Sequence, residues 1–231
     1  MNTHFKNSII IFSAIALFII IILGSFNLMI FNRPFYETEY SKNNVYKSIS
    51  EKYSINTTQS VAMVDDITSN IFKFFNGKED LQNFYSKETS HMQDVKSVIN
   101  TMRIIYYTSV VLFVLLIATL YFYYKKDSIA FIDYVSKTLY YSSIAQLAFF
   151  ALIFFWSVFY FDALFIIFHA ILFPQGNWIF DASSLLITLF PQQFFFDITL
   201  RIFIYGIMQA VVLFIIGYWL RKQIKLHKKY H

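Results

Sequence analysis

FHAILFPQGNWIFDASSLLITLFPQQFFFD, residues 168–197, is the stretch around which the rest of the chain is organised. A histidine closes a long apolar run. A Pro-Gln-Gly-Asn turn follows, then a Trp, an isolated Asp, a second Pro and three consecutive Phe. Its only charged side chains are Asp181 and Asp197. A soluble loop would carry more charge. A spanning helix would not hold Pro174, Gly176 and Pro191 so close together. The membrane–water interface suits such a segment, because aromatic rings sit well there and polar groups still reach water.

Working outward, the composition agrees with a membrane protein. Of the 231 residues, 57% are hydrophobic and 21% aromatic, and only 14% are charged, against roughly 25% in soluble domains. There is no Cys, which removes disulfides, thiol nucleophiles and Cys-type zinc sites from consideration. Residues 8–31 form an unbroken apolar run preceded by Lys6. It is long enough to span a bilayer and too long for a signal-peptide core. Leu28-Met29-Ile30-Phe31 offers no small-residue cleavage site, so a retained anchor is expected. Further spans are expected at 98–124, 141–173 and 199–220. A cytoplasmic connection at 125–140, an interfacial outer loop at 174–198 and a cytoplasmic tail at 221–231 complete the membrane part.

Residues 32–97 read differently. They hold nine acids and eight bases with no large block of either sign, as a small cap would. Residues 34–46 (PFYETEYSKNNVY) mix aromatic and polar side chains and suit an extended strand. Residues 58–75 space Val61, Val64, Ile67, Ile71, Phe74 and Phe75 as a helix does, and Asn76-Gly77 is a stop signal. Residues 81–85 are a short extended candidate. Ser86 can cap a helix starting at Lys87, and nothing interrupts that helix before the apolar run 104–124. The expected fold is therefore a membrane protein, mainly α, with four transmembrane helices and a small mixed α/β extracytoplasmic cap.

Charge asymmetry gives the orientation. The N-terminal flank, the 125–137 loop and the tail hold nine Lys/Arg and two acids, whereas the remaining segments hold ten bases and twelve acids. By the positive-inside rule both termini are cytoplasmic, and the cap and the 168–197 stretch lie outside. The net charge of +5 follows this pattern rather than a soluble basic patch. The expected partner is therefore a lipid bilayer and not nucleic acid.

This topology brings His91 and His169 to one surface. His91 and Asp94, at i and i+3, share a helix face. Asp162 and His169 are seven residues apart, about two turns. A carboxylate beside an imidazole fixes its tautomer and raises its basicity, which prepares a general base. A lone interfacial His is usually an amphipathic anchor, and Asp94 alone reads as a surface charge. Trp178 and Phe194–Phe196 alone read as an aromatic belt. An acid at membrane depth such as Asp162 is costlier to explain away. The case for a site rests on all of these meeting on one side. No phosphate-binding glycine loop, His-Glu-x-x-His or Gly-x-Ser-x-Gly motif is present, and no cofactor is expected. His91-x-x-Asp94 with His169 is only weak evidence for a metal.

Two separated motifs carry a resemblance: HMQDVK at 91–96, and FDALFIIFH...GNWIFD...LITLFP..FF across 161–195. In this order and inside a four-span plan, the chain resembles the bacterial lipoprotein intramolecular transacylase family. The resemblance departs at Ala182-Ser183-Ser184, where a Pro and a further acid are usual in that family. It implies an integral acyltransferase of the cytoplasmic membrane whose site faces outward. Catalysis would fall to His91 and His169. Asp94, Asp162, Asn177, Trp178, Asp181 and Phe195 would bind or orient substrate. The implied substrate is a diacylated lipoprotein whose N-terminal Cys carries a diacylglyceryl thioether and a free amine. Its sn-2 acyl chain moves to that amine, giving a lyso-form lipoprotein. Residue chemistry alone also leaves open a metal-dependent membrane hydrolase, and a non-enzymatic anchor whose cap binds a partner.

Overall fold

A computed structural model describes residues 3–230, with side chains for 4–228. The chain forms two compact units. One comprises the chain up to Asn27, Arg103–Phe155 and the chain from Ile202; the other comprises Leu28–Met102 and Trp156–Arg201. The described residues fold into helices α1 (Thr3–Ile30), α2 (Arg33–Lys42), α3 (Val45–Tyr53), α4 (Thr57–Phe75), α5 (Ser86–Tyr124), α6 (Ser128–Phe159), α7 (Phe161–Leu172), α8 (Leu185–Leu189) and α9 (Gln192–Tyr230).

The first unit follows from long apolar runs that lack Pro. In hydrocarbon every backbone N–H and C=O must be paired within the segment, which selects helix. Helices α1, α5, α6 and α9 are each long and apolar enough to cross a membrane. Leu17, Ile21, Phe150 and Phe203 form a core among them. Gly206 lets α9 approach, because a methyl group there would overlap the Phe150 ring. Side-chain hydrogen bonds add to this packing. Gln146 Nε2 donates to Ser142 Oγ (2.9 Å), Ser142 Oγ to the Ala14 carbonyl (3.2 Å), and Gln209 Nε2 to Ser25 Oγ (3.0 Å). The last two cross between helices, and such polar links hold helices together where lipid offers no hydrophobic drive between them.

The second unit corrects the expected cap. Among the described residues there is no strand, so the cap is helical rather than mixed α/β. The 34–46 segment is helix α2 followed by the start of α3. Asn32 Oδ1 accepts from Phe35 N (3.2 Å) and Pro34 sits in the first turn, a strong helix start. Phe35, Tyr36, Glu39 and Tyr40 are then buried at helical spacing. The mixture of aromatic and polar residues was an amphipathic helix rather than a strand edge. Asn44, at φ 56°, turns the chain from α2 into α3. The α4 helix matches its expectation: Asn56 and Gln59 form a capping box and Asn76 closes the helix. Residues 81–85 are irregular. The side-chain amide of Asn70 stands in for a neighbouring strand there, donating to Asp80 O (3.0 Å) and accepting from Gln82 N (2.9 Å).

The unit's core is aromatic. Tyr36 packs against Phe194 (centroids 5.1 Å apart) and Phe72 (5.0 Å), and Tyr40 against Phe194 and Phe190. The Tyr40 hydroxyl meets Thr68 Oγ1 at 3.0 Å, and the Tyr36 hydroxyl donates to Ile30 O. Lys42 pairs with Asp197 at 2.6 Å. Helix α6 ends at Phe159, and Tyr160 alone separates it from α7. The apolar run expected as one span at 141–173 is thus two helices. Neither Pro nor Gly marks the break; the local signal is Asp162, which complements the dipole in the first turn of α7.

Candidate active site

Helix α5 is unbroken for 39 residues, from Ser86 to Tyr124. Ser86 is its first residue rather than its cap. In its first turn Glu88 reaches back, its Oε2 accepting from Tyr85 N at 2.9 Å. Lys87, Glu88, Ser90, His91 and Asp94 fall within two turns, at spacings of three and four that share a face. Beyond Tyr85, their hydrogen-bond partners lie between α7 and the first turn of α8. Lys87 Nζ donates to Ile179 O (2.6 Å). Glu88 Oε1 accepts from Ser184 Oγ (2.5 Å) and Leu186 N (3.1 Å). Asp94 Oδ2 accepts from Gln175 Nε2 and Asn177 Nδ2, both at 2.6 Å, and Asn177 Nδ2 also reaches Ser90 Oγ at 3.3 Å. From α3, Lys52 Nζ donates to Ser183 O at 2.5 Å. The segment contains a tight turn closed by Gly176 N donating to Phe173 O (3.0 Å), with Gly176 at φ 74°. That left-handed conformation favours glycine.

His91 and His169 are both buried, and their rings lie 27° from parallel with centroids 6.2 Å apart. Phe173 edges onto His91 at 4.7 Å and Phe180 at 5.6 Å. Around His169 stand Phe165 (4.1 Å), Trp178 (4.9 Å), Phe173 (5.6 Å) and Phe195 (6.5 Å). His169 Nδ1 lies 2.8 Å from the Phe165 carbonyl. A carbonyl can only accept, so Nδ1 carries the proton and Nε2 presents a lone pair. His91 Nδ1 and Asn177 Oδ1 are buried without a hydrogen-bond partner. His91 lies ahead of the apolar run of α5. Burial pushes its imidazole down to about 4, the His169 ring adds to this, and Asn177 and Asp94 oppose it. At neutral pH His91 is therefore uncharged and able to accept a proton.

Sequence-selected residues divide into two groups. His91, His169, Asp94, Asn177, Trp178 and Phe195 come together. Asp162 does not join them by hydrogen bonding: its Oδ1 accepts from Gln192 Nε2 at 2.6 Å, at the start of α9. The Asp181 side chain is exposed, and its backbone carbonyl accepts from Ser184 N at 2.9 Å. Glu88 joins the site although no sequence motif selects it. It is 2% exposed and accepts from three donors on two segments. Its sequence signal was its position in the first turn of α5, where an N-terminal acid caps. Among the described residues no three His, Asp or Glu side chains gather as metal ligands.

The model of the family described as lipoprotein intramolecular transacylase Lit matches residues 11–195. No curated protein matches the chain in sequence. Among solved structures, the membrane-integral lipoprotein intramolecular transacylase Lit from Bacillus cereus superposes with a TM-score of 0.80 at 16% identity, covering 97% of this chain and all of that one. A form of that protein with a histidine replaced by arginine gives 0.73 at 16% identity, over 97% of this chain and 95% of the other. A form with a histidine replaced by alanine also gives 0.73 at 16% identity, over 96% of each chain.

Proposed function

This chain belongs to the lipoprotein intramolecular transacylase family and is a membrane acyltransferase, and on that premise we propose that His91 and His169 carry its reaction. The amine nitrogen of the N-terminal Cys attacks the sn-2 ester carbonyl of the same molecule. A C–N bond forms, the bond to the sn-2 oxygen breaks, and one proton passes from nitrogen to that oxygen. His169 Nε2 takes the proton, because its Nδ1–H is held by the Phe165 carbonyl. The proton reaches the sn-2 oxygen directly or through His91, which burial keeps neutral. The observation that carries this reading is the pairing of two buried imidazoles, one from each motif, with centroids 6.2 Å apart.

The remaining groups orient. Asp94 holds Gln175 and Asn177, and so fixes the segment bearing Trp178. Trp178, Phe165 and Phe195 form an apolar wall for acyl chains. Nucleophile and ester belong to one substrate, so placing them together supplies much of the rate, and no acyl-enzyme is required. Both termini are cytoplasmic and the site faces outward, on the charge asymmetry of the loops.

Crossover decides the reaction. Two lipopeptides are mixed, one with isotope-labelled acyl chains and a distinct peptide tag. The product should keep its mass, lose amine reactivity and keep its label on the tagged peptide. Label on the other peptide would mean transfer between molecules, and a lighter peptide would mean hydrolysis; either would overturn the reading. For orientation, Asn44→Cys should react with an impermeant maleimide in intact cells and Lys126→Cys should not; the reverse pattern would place the site inside.

A further inference from the structure

A second polar feature lies within the first unit, between α6 and α9. Tyr140, Tyr218, Arg221, Lys222 and Lys225 line a groove of about 170 Å³. Its floor is a close helix approach: a Cβ on Gly217 would sit 2.8 Å from Tyr140 N. One turn on, the Arg221 guanidinium lies over the Tyr140 ring at 4.6 Å and the Tyr141 ring at 5.2 Å. Two aromatic faces thus hold the guanidinium in place. Its Nη1 is nevertheless buried without a hydrogen-bond partner. No acid answers the three cations: none of Arg221, Lys222 and Lys225 is in an ion pair among the described residues, and Asp133 on α6 is held by Lys137 at 2.7 Å. Tyr218 and Trp219 beside them are more than half exposed, as rings at headgroup level are.

A basic helix end is ordinary in a membrane protein, and its lysines are usually solvated. A fixed Arg with a desolvated, unpaired donor is not, because such a donor costs free energy that an oxyanion would recover. We propose that this groove binds a phosphate group, with Arg221 as its planar donor, Lys222 and Lys225 as its charge and Tyr218 at its rim, and that the phosphate is that of a phospholipid headgroup. Guanidinium suits this role because its fork matches phosphate oxygens.

Native mass spectrometry of the full chain in neutral detergent tests the proposal. Phosphatidylglycerol is titrated against diacylglycerol with the same acyl chains. Phosphatidylglycerol should be retained and diacylglycerol should not. Arg221→Gln should weaken retention about tenfold, the worth of one charge-assisted pair. Arg221→Lys should fall between Arg221→Gln and the native protein, and Lys222→Gln with Lys225→Gln should also weaken retention. Lys228→Gln, on the same helix beyond the groove, should leave it unchanged. Competition by inorganic phosphate would assign the groove to free phosphate; its failure to compete, with phosphatidylglycerol still bound, would assign it to lipid. Equal retention of diacylglycerol, or equal loss with Lys228→Gln and Arg221→Gln, would overturn the proposal. Should Arg221→Gln not fold, Arg221→Lys and the double lysine variant decide the matter alone.

Discussion

His91 and His169 occupy neighbouring places by opposite means. His91 rides on a helix of 39 residues, so helical phase alone aims it. His169 rides on a helix of 12 residues between Tyr160 and Phe173, both in non-helical conformations. Its aim comes from contacts: the Phe165 carbonyl on Nδ1 and rings on several sides. The α5 side is rigid and periodic. The α7 side is irregular and needs ties, and most of those ties come from α5 itself, through Lys87, Glu88 and Asp94. One half of the site is therefore built by the backbone, and the other is held in place by side chains of the first.

The histidines themselves should be equal despite this difference. His91→Ala and His169→Ala should each lower turnover by about 10³-fold or more, the scale of general acid–base catalysis. The double variant should be little worse, because both serve one proton path. Near-native turnover in purified His169→Ala would end the pairing.

Ties should show in stability. Glu88→Ala leaves the buried Ser184 hydroxyl and Leu186 N–H without their acceptor, at about 1–3 kcal/mol for each buried group. Thermal unfolding in detergent should fall clearly, and Glu88→Gln, which keeps one acceptor oxygen, should fall less. An unchanged midpoint for Glu88→Ala would mean that the α7 side needs no such anchor. Asp94→Asn should act more on rate than on folding. The amide keeps one oxygen for Gln175 and Asn177 but loses the charge that strengthens both bonds, and a loss of about tenfold is expected. Stopped kinetics on a lipopeptide will measure it; native rates would show that the Trp178 segment holds itself.

A titration sharpens the electrostatic side. With the His91 pKa depressed to about 4, the ring stays neutral as pH falls from 7 to 5, and takes its proton only below that. Histidine side-chain NMR should find it unprotonated at pH 5.5, and a transition near 6.5 would contradict its burial. Asp181→Asn should do least. Its carboxylate is exposed, and a surface change of this kind moves energies by about 0.5 kcal/mol, roughly twofold in rate.

The sequence shows these halves unequally. Helix α5 was legible because nothing breaks its pattern from Lys87 to Tyr124, and His91 and His169 stood out because the span order and the loop charges bring both to one side. The cap hides its helices at Pro34–Tyr46, where aromatic and polar residues alternate enough to suggest a strand. Helical burial of Phe35, Tyr36 and Tyr40 against Phe190 and Phe194 settled it, and those partners are some 150 residues away in the chain. Glu88 was opaque for the same reason: its partners Ser184 and Leu186 lie 96 and 98 residues on. The break at Tyr160 carries no Pro or Gly.

Continuity of α5 has a genetic corollary. A residue inserted anywhere between His91 and the apolar run would rotate His91 against that run by about 100°, so this helix should tolerate substitutions and reject length changes. Across Tyr160 the register is already interrupted, and an added or deleted residue in α6 need not turn His169 at all. In relatives of this chain, insertions and deletions should therefore avoid residues 91–104, even where the amino acids themselves have drifted.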